Sequence, residues 1–424
     1  MIGAPEPGAR ETRDVASRRI LLVDADAFFV AVARMVDPDV AGRATFLIVG
    51  GSADSRGVVC SASYETRKFG VRSAMPMSQA VRLCPQALVV PVPRGACSQK
   101  HREIRAVLER FAPVVQAASI DEWYLDLGGT EQLYGSEPLE TTARRIRDAV
   151  MAETRLSVSI GGGTSKVVAK LAVERAKPKP GTGATGVHVV PAGAEAAFMA
   201  TFELAEIPLV GPRFAEKLAK FGLHRVPDLF QYDPATLARW LGERDAEWLW
   251  ERAHGRDDGV VEEREEAKSM GREETFARDI GDDPTLEKEL LRLVSRVASD
   301  LREDELAART ITVKLKDADF TSRQASRTLD EPVESDRVIY TVARELLERL
   351  RRKRRVPARL LGVSLSSLGA SGVAPARQLA LFGEAPGALV ETERDKRVSR
   401  VMDTVRAKFG RDAIGPGITR EDDD

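Results

Sequence analysis

The 424-residue chain has 43% hydrophobic and 30% charged residues and a formal net charge of −1, an ordinary globular composition that excludes a wholly disordered polypeptide and calls for roughly two to four domains. That balance gives no global signature of a nucleic-acid binder, so any basic surface has to be local. The cysteines Cys60, Cys84 and Cys97 lack the spacing of a zinc site and the even count of a disulfide framework, and the four histidines are scattered, which leaves the chemistry to carboxylates and points to a reducing cytoplasm.

Residues 1–17 read as a flexible N-terminal tail without the apolar segment of a signal peptide, and no later run reaches the roughly 20 apolar residues of a membrane span. RRILLVD reads as a buried strand ending at Asp24, followed by a helical AFFVAVARMV. FLIVGG and GVVCSAS read as strands, YETRKFG and MSQAVRLCP as short helices, and ALVVPV as a further strand. From about residue 97 the order is helix, strand (VVQAAS), strand (WYLDL), helix (LETTARRIRDAVMAE), strand (LSVSIGG) and helix (TSKVVAKLAVERA). Joined to the first strand, this is a βαββαβ sheet with helices on one face. AKPKPGTGATG marks a boundary, after which residues 202–256 hold only short helices. The charged run from Arg256 to Lys268 reads as an exposed linker. A second βαββαβ pattern follows, with a helix near 286–304, strands ARTITVKLKD and SRQASRTL, a helix near 335–350 and a strand RLLGVSLSSL. From Gly369 onward the chain reads as a tail containing one helix, VSRVMDTVRAKFG.

Two acidic spots fall at strand ends of the first sheet, DAD at 24–26 and SIDE at 119–122. In a βαββαβ sheet the first strand neighbours the central hairpin, so these acids can converge across about a hundred residues of sequence. Three carboxylates suit Mg²⁺ and phosphoryl transfer, although each acid taken singly could be a solvated turn residue.

VDADAFFVAV, SYETRKFGVRSAMPMSQAVRLCP, SIDEWYLDL and SIGGGTSKVVAKLAVERAKP occur in that order, and together they resemble the Y-family (translesion) DNA polymerases, in particular the DNA polymerase IV branch. The resemblance covers roughly residues 18–368. It implies an α+β multidomain, right-hand polymerase fold: a ferredoxin-like palm (18–27 and 94–186), small fingers (28–93), a helical thumb (187–256), the linker (257–268), a βαββαβ little finger (269–368) and a C-terminal tail (369–424). It implies low-fidelity translesion synthesis from dNTPs on primer–template DNA, with two Mg²⁺ ions held by Asp24, Asp121, Glu122 and the Ala25 carbonyl. Phe28, Phe29, Ser61, Tyr64, Arg67 and Lys166 would bind the nucleotide, Phe29 as the steric gate against a 2′-hydroxyl. Val58 and Cys60 would roof the templating base loosely. Trp123 departs from the family, which usually has a small residue there, and could either pack in the palm or crowd the primer.

IPLVGPRFAEKLAKFG resembles a helix-hairpin-helix, with Gly211 opening backbone N–H groups toward a DNA phosphate; an ordinary helix turn is the alternative. Lys314 and Lys316 alternate with apolar residues in TITVKLK, and Arg351, Arg352, Lys353, Arg354 and Arg355 form the densest basic run. Phosphate contact is the reading preferred over a dipole-complementing helix end. Gln378, Leu379, Leu381 and Phe382 resemble the motif QLxLF that binds the bacterial β sliding clamp. The expected enzyme is a monomer in the cytoplasm without membrane contact. A non-catalytic clamp-binding adaptor, a nucleotide cyclase and a polymerase V type subunit are the rival readings, and retention of all three acids weighs against the first.

Overall fold

All six residues of β1 (Ile20–Ala25) are buried, the pattern of a strand covered on both faces. In the computed structural model, which describes residues 18–178, 183–263, 267–371, 391–410 and 413–415, the chain divides into two units, residues 1–264 and 265–424.

In the first unit β1 leads into α1 (Phe28–Val36), and then β2 (Leu47–Gly50), β3 (Val59–Ala62), α2 (Tyr64–Arg67), α3 (Met77–Leu83) and β4 (Leu88–Val90) build a small sheet in the order β3-β2-β4. The chain returns through α4 (Arg94–Leu108), β5 (Val114–Ala117), β6 (Glu122–Asp126), α5 (Leu139–Thr154), β7 (Val158–Gly163), α6 (Lys166–Ala176) and β8 (Val187–Val189). These strands order as β5-β6-β1-β7-β8, antiparallel except for β7 with β8. The first four strands have the ferredoxin-like arrangement with β1 and β6 central.

Side-chain alternation sorts β1 between two layers. Leu21, Val23 and Ala25 pack with α1, α4 and α5, while Ile20 and Leu22 pack with Ala169 and Val173 of α6. The expectation of helices on one face is therefore corrected, because α6 lies on the opposite face. The glycines of β7 permit this: a Cβ on Gly161 would run into the α6 backbone at Ala169 and Val173. Helix and strand thus approach to backbone contact.

A helical cluster completes the unit, with α7 (Glu195–Met199), α8 (Pro212–Ala219), α9 (Val226–Leu229), α10 (Pro234–Leu241) and α11 (Glu243–Ala253) around a shared core. Asp233 starts α10 by accepting from Thr236 N at 2.9 Å, with Pro234 following it. The run after Arg256 is not solvent throughout. Val261 is 4% exposed, packed beneath β1 with Ile20 and Leu22, and Asp257 is paired with Arg252 at 3.3 Å.

The second unit runs β9 (Ser269–Ile280), α12 (Asp283–Glu303), β10 (Leu306–Asp317), β11 (Ser322–Val333), α13 (Asp336–Lys353), β12 (Ala358–Ala370) and α14 (Glu393–Phe409). Its sheet has the order β11-β10-β12-β9, antiparallel throughout. Leu286, Leu290, Leu293, Val294, Val297 and Leu301 recur along α12 at helical spacing and meet Ile311, Val313 and Leu315 of β10 in one core.

Residues from 369 onward are more than a tail. Thr392 caps α14 reciprocally with Asp395, and the helix docks through Arg302–Asp403 at 2.7 Å, Arg337–Asp395 at 2.6 Å and Arg400–Glu334 at 2.7 Å. Glu334 is also where the chain leaves and returns: its carboxylate accepts from the Ser371 hydroxyl, and its N–H donates to Glu391 at 2.9 Å. Residues 1–17 and the motif Gln378, Leu379, Leu381 and Phe382 lie outside the described residues.

Candidate active site

Register puts Asp24 of β1 directly opposite Glu122 of β6, a cross-strand carboxylate pair of the kind that repels unless cations intervene. Both sit on the α6 face of the sheet. Asp121 precedes them in the β5–β6 turn; its carbonyl accepts from Ala25 N at 2.9 Å, and its carboxylate accepts from the Ser119 hydroxyl. One backbone hydrogen bond therefore joins the two acidic segments. Asp26 is committed elsewhere, accepting from the hydroxyls of Ser157 at 2.7 Å and Ser159 at 2.8 Å.

Two lysines of the α6 segment hold the acid pair. Lys170 is ion-paired with Glu122, and Lys177 with Asp24 at 2.9 Å. Burial pushes the Asp24 carboxyl up to about 7 against the pull of Lys177, and the Glu122 charge adds to the rise. Lys177 is held above its usual value by Asp24 and Glu174 although burial opposes this. Among the described residues no three acid, cysteine or histidine side chains converge as a ready cation cage, and the Asp121 carboxylate is turned to Ser119. The donors nevertheless fit a hard divalent ion: they are carboxylate oxygens, and Asp24 and Glu122 face each other across neighbouring strands.

Lys166 does not join them, which corrects its expected nucleotide contact. Lys166, Lys170 and Lys177 share one stripe of the helix, but α6 runs back along β7, and about 1.5 Å per residue puts Lys166 roughly 16 Å from Lys177. The Lys166 ammonium instead reaches Gln116 and the Val260 carbonyl, over the Tyr124 ring. Lys170 and Lys177 were missed by the sequence reading.

Phe28 lends no ring to a nucleotide. Its ring is 2% exposed in the sheet core, so all it can offer a nucleotide is its N–H at the start of α1. Phe29 is half-buried and meets Phe28 edge to face at 5.6 Å, so the adjacent rings do point different ways. Ser63 caps α2 by accepting from Thr66 N. This presents Tyr64, 40% exposed, beneath the Arg67 guanidinium at 5.1 Å. Burial, then the negative charge of Asp26, raises the Tyr64 phenol. Ser61 is buried in β3, while Val58 is exposed and Cys60 half-buried. Trp123 is fully buried; it packs in the sheet core and does not crowd a primer.

Gly211 caps α8, whose first residue Pro212 removes one of the N–H groups the turn could offer. Ahead of it lies only a single 3₁₀ turn, Leu204–Glu206, and Leu209 adopts φ 74° with its side chain in solvent. In the second unit Lys314 pairs with Glu273 at 3.0 Å and Lys316 lies over the Phe320 ring. Arg351 is corrected: at 4% exposure it is a structural pin, bonded to Asp283 and to the carbonyls of Gly281 and Val356 at 2.6 Å each. Arg354 pairs with Asp317 and Asp319 and Arg355 with Asp283. Arg352 and Lys353 are exposed, so the five-cation run contributes far less free charge than its sequence suggests. Among the described residues no helix is long and apolar enough to cross a membrane.

Comparison with known proteins gives a consistent result. Residues 23–174 match the impB/mucB/samB family and residues 267–381 match its C-terminal domain. The chain is 35% identical over 402 residues to a DNA polymerase IV of Dehalococcoides mccartyi (strain CBDB1), covering 95% of this chain and 97% of the relative. It is 37% identical over 351 residues to that of Halorhodospira halophila, covering 83% and 95%. Among solved structures, a chimeric Y-family DNA polymerase superposes with a TM-score of 0.72 at 25% identity, covering 83% of this chain and 100% of that one. The insertion ternary complex of Dbh DNA polymerase superposes with a TM-score of 0.58 at 25% identity, covering 82% and 98%.

Proposed function

Because the chain belongs to the impB/mucB/samB family and is a Y-family DNA-directed DNA polymerase, we propose that it joins dNTPs to a primer 3′-hydroxyl with two Mg²⁺ ions held by Asp24, Asp121, Glu122 and the Ala25 carbonyl. The observation that carries this reading is the pairing of Asp24 and Glu122 across β1 and β6, each already drawing a lysine ammonium. Bound divalent ions would acidify the attacking hydroxyl and neutralise charge gathering on the phosphoryl oxygens.

The chain's own groups do the rest. Asp121, once turned from Ser119, would complete the donor set. Lys177, released from Asp24, places its ammonium on the triphosphate, joined by Tyr64 and Arg67 at the mouth. Phe29 presents a ring under the sugar and excludes a 2′-hydroxyl. Exposed Val58 and half-buried Cys60 leave the nascent pair loosely enclosed, which suits lesion tolerance and low fidelity. Lys314, Lys316, Arg352, Lys353 and Gly211 serve the DNA backbone, and Gln378, Leu379, Leu381 and Phe382 a bacterial β sliding clamp. The enzyme works as a cytoplasmic monomer. No observation favours a non-catalytic adaptor.

The test is primer extension with Mg²⁺ and dNTPs on intact and lesion-bearing templates. Glu122→Ala should lose more than the about 100-fold that removal of a mere supporting contact costs. Extension that persists in Glu122→Ala would remove the metal-site assignment.

A further inference from the structure

The acid dipeptide Asp121–Glu122 sits at the mouth of a hairpin, and one side chain outside that hairpin touches it on both flanks. His101, in α4, places its Nδ1 2.9 Å from the Ile120 carbonyl, immediately before Asp121. Since a carbonyl can only accept, Nδ1 carries the proton and donates. The same ring lies on the Trp123 indole, immediately after Glu122, with centroids 5.0 Å apart and planes 28° from parallel.

We propose that His101 is a positioning residue for the metal-binding acids, holding Asp121 through Ile120 and Glu122 through Trp123. The argument rests on alternation. Trp123 enters the core on the α4 face, so Glu122 must project from the other face, and whatever fixes the indole fixes the carboxylate's height above Asp24. The indole is fully buried, and among the described residues its Nε1 has no hydrogen-bond partner; the described contacts that set its place are packing and the imidazole stacked upon it. The neighbouring carbonyl of Asp121 is already tied to Ala25 N at 2.9 Å. With Ile120 tied to His101 and Asp121 to Ala25, the backbone of the dipeptide is pinned from two elements at once. His101 is held in its turn, because Cys97 and Ile104 of α4 anchor that helix face in the same core.

The inference depends on the metal-site reading above, and its test keeps the two apart. Mn²⁺ alone is titrated into the whole protein, followed by the electron paramagnetic resonance of the free ion, for the parent, Glu122→Ala, His101→Phe and His101→Asn. His101→Phe keeps a ring on Trp123 but has no donor; His101→Asn keeps a donor near the Nδ1 position but no ring. His101→Phe, without the tie to Ile120, and His101→Asn, without the stack on Trp123, should each bind Mn²⁺ about 10-fold more weakly and lose a similar factor in kcat, with KM for dNTP and Tm close to the parent. A parent that binds no more Mn²⁺ than Glu122→Ala would overturn the metal site itself. A parent that binds, with His101→Phe or His101→Asn binding equally well, would overturn the two-contact role of His101 alone.

Discussion

At the residue scale, Lys166 and Lys177 separate what a helical pattern reveals from what it leaves out. Both lie on the stripe of α6 that faces the acids, yet only Lys177 reaches Asp24, at 2.9 Å. Lys177→Ala should therefore raise KM for dNTP roughly 10-fold or more, as loss of a charged contact worth about 1.5–3 kcal/mol requires, while Lys166→Ala leaves KM unchanged; steady-state incorporation kinetics distinguish them. Leu209 supports a second expectation. Its φ of 74° places a bulky side chain in the left-handed region, and at 81% exposure that side chain gains no burial. In thermal unfolding Leu209→Gly should be at least as stable as the parent, whereas Leu209→Val, branched at Cβ, should lose about 1 kcal/mol or more. Asp24 and Glu122 were legible because strand ends and the order of elements place them. Arg351 was misread because local sequence does not say that an arginine in a basic run is buried on an aspartate, and it left open which of the adjacent rings of Phe28 and Phe29 turns inward. Trp123 was left open for the same reason.

At the element scale, α14 was legible as a helix and not as a docked one. Its anchors are ions on α12, α13 and the turn before α13, distant in sequence, so no local signal announces them. Arg302 is central, with a side chain 5% exposed, paired to Asp336 at 2.9 Å and Asp403 at 2.7 Å. Arg302→Ala should leave Asp336 without its cation and Asp403 with only Arg406 at 3.7 Å, destabilising the second unit by about 3 kcal/mol, with α14 amides exchanging hydrogen fastest. Acid should act in the same direction. The Arg337 guanidinium holds the Asp395 carboxyl well below the usual range, so this group contributes fully above its unfolded value of about 3.9 and loses its share as the pH falls below that. Protection of the α14 amides, taken relative to the intrinsic exchange rate at each pH, should be steady near neutrality and fall in acid.

At the scale of the whole molecule, two units share the element string βαββαβ but differ in strand order, with β1 between β6 and β7 in one and β10 between β11 and β12 in the other. Periodicity yields the string and leaves the order to tertiary pairing, which is why the fold class was legible and α6 on the second face of the first sheet was not. Clamp dependence also belongs to this scale. Replacing Leu381 and Phe382 by Ala should abolish stimulation of primer extension by a sliding clamp and leave basal synthesis intact, since tethering raises effective concentration without new DNA contacts. Equal stimulation of parent and variant would discard the motif. The convergence of Ser371 and Glu391 on Glu334 has a mechanical consequence for any such tether. A pull that reaches Ser371 and Glu391 therefore meets at Glu334 and is shared between β12 and α14, as a sling hung from two points shares its load.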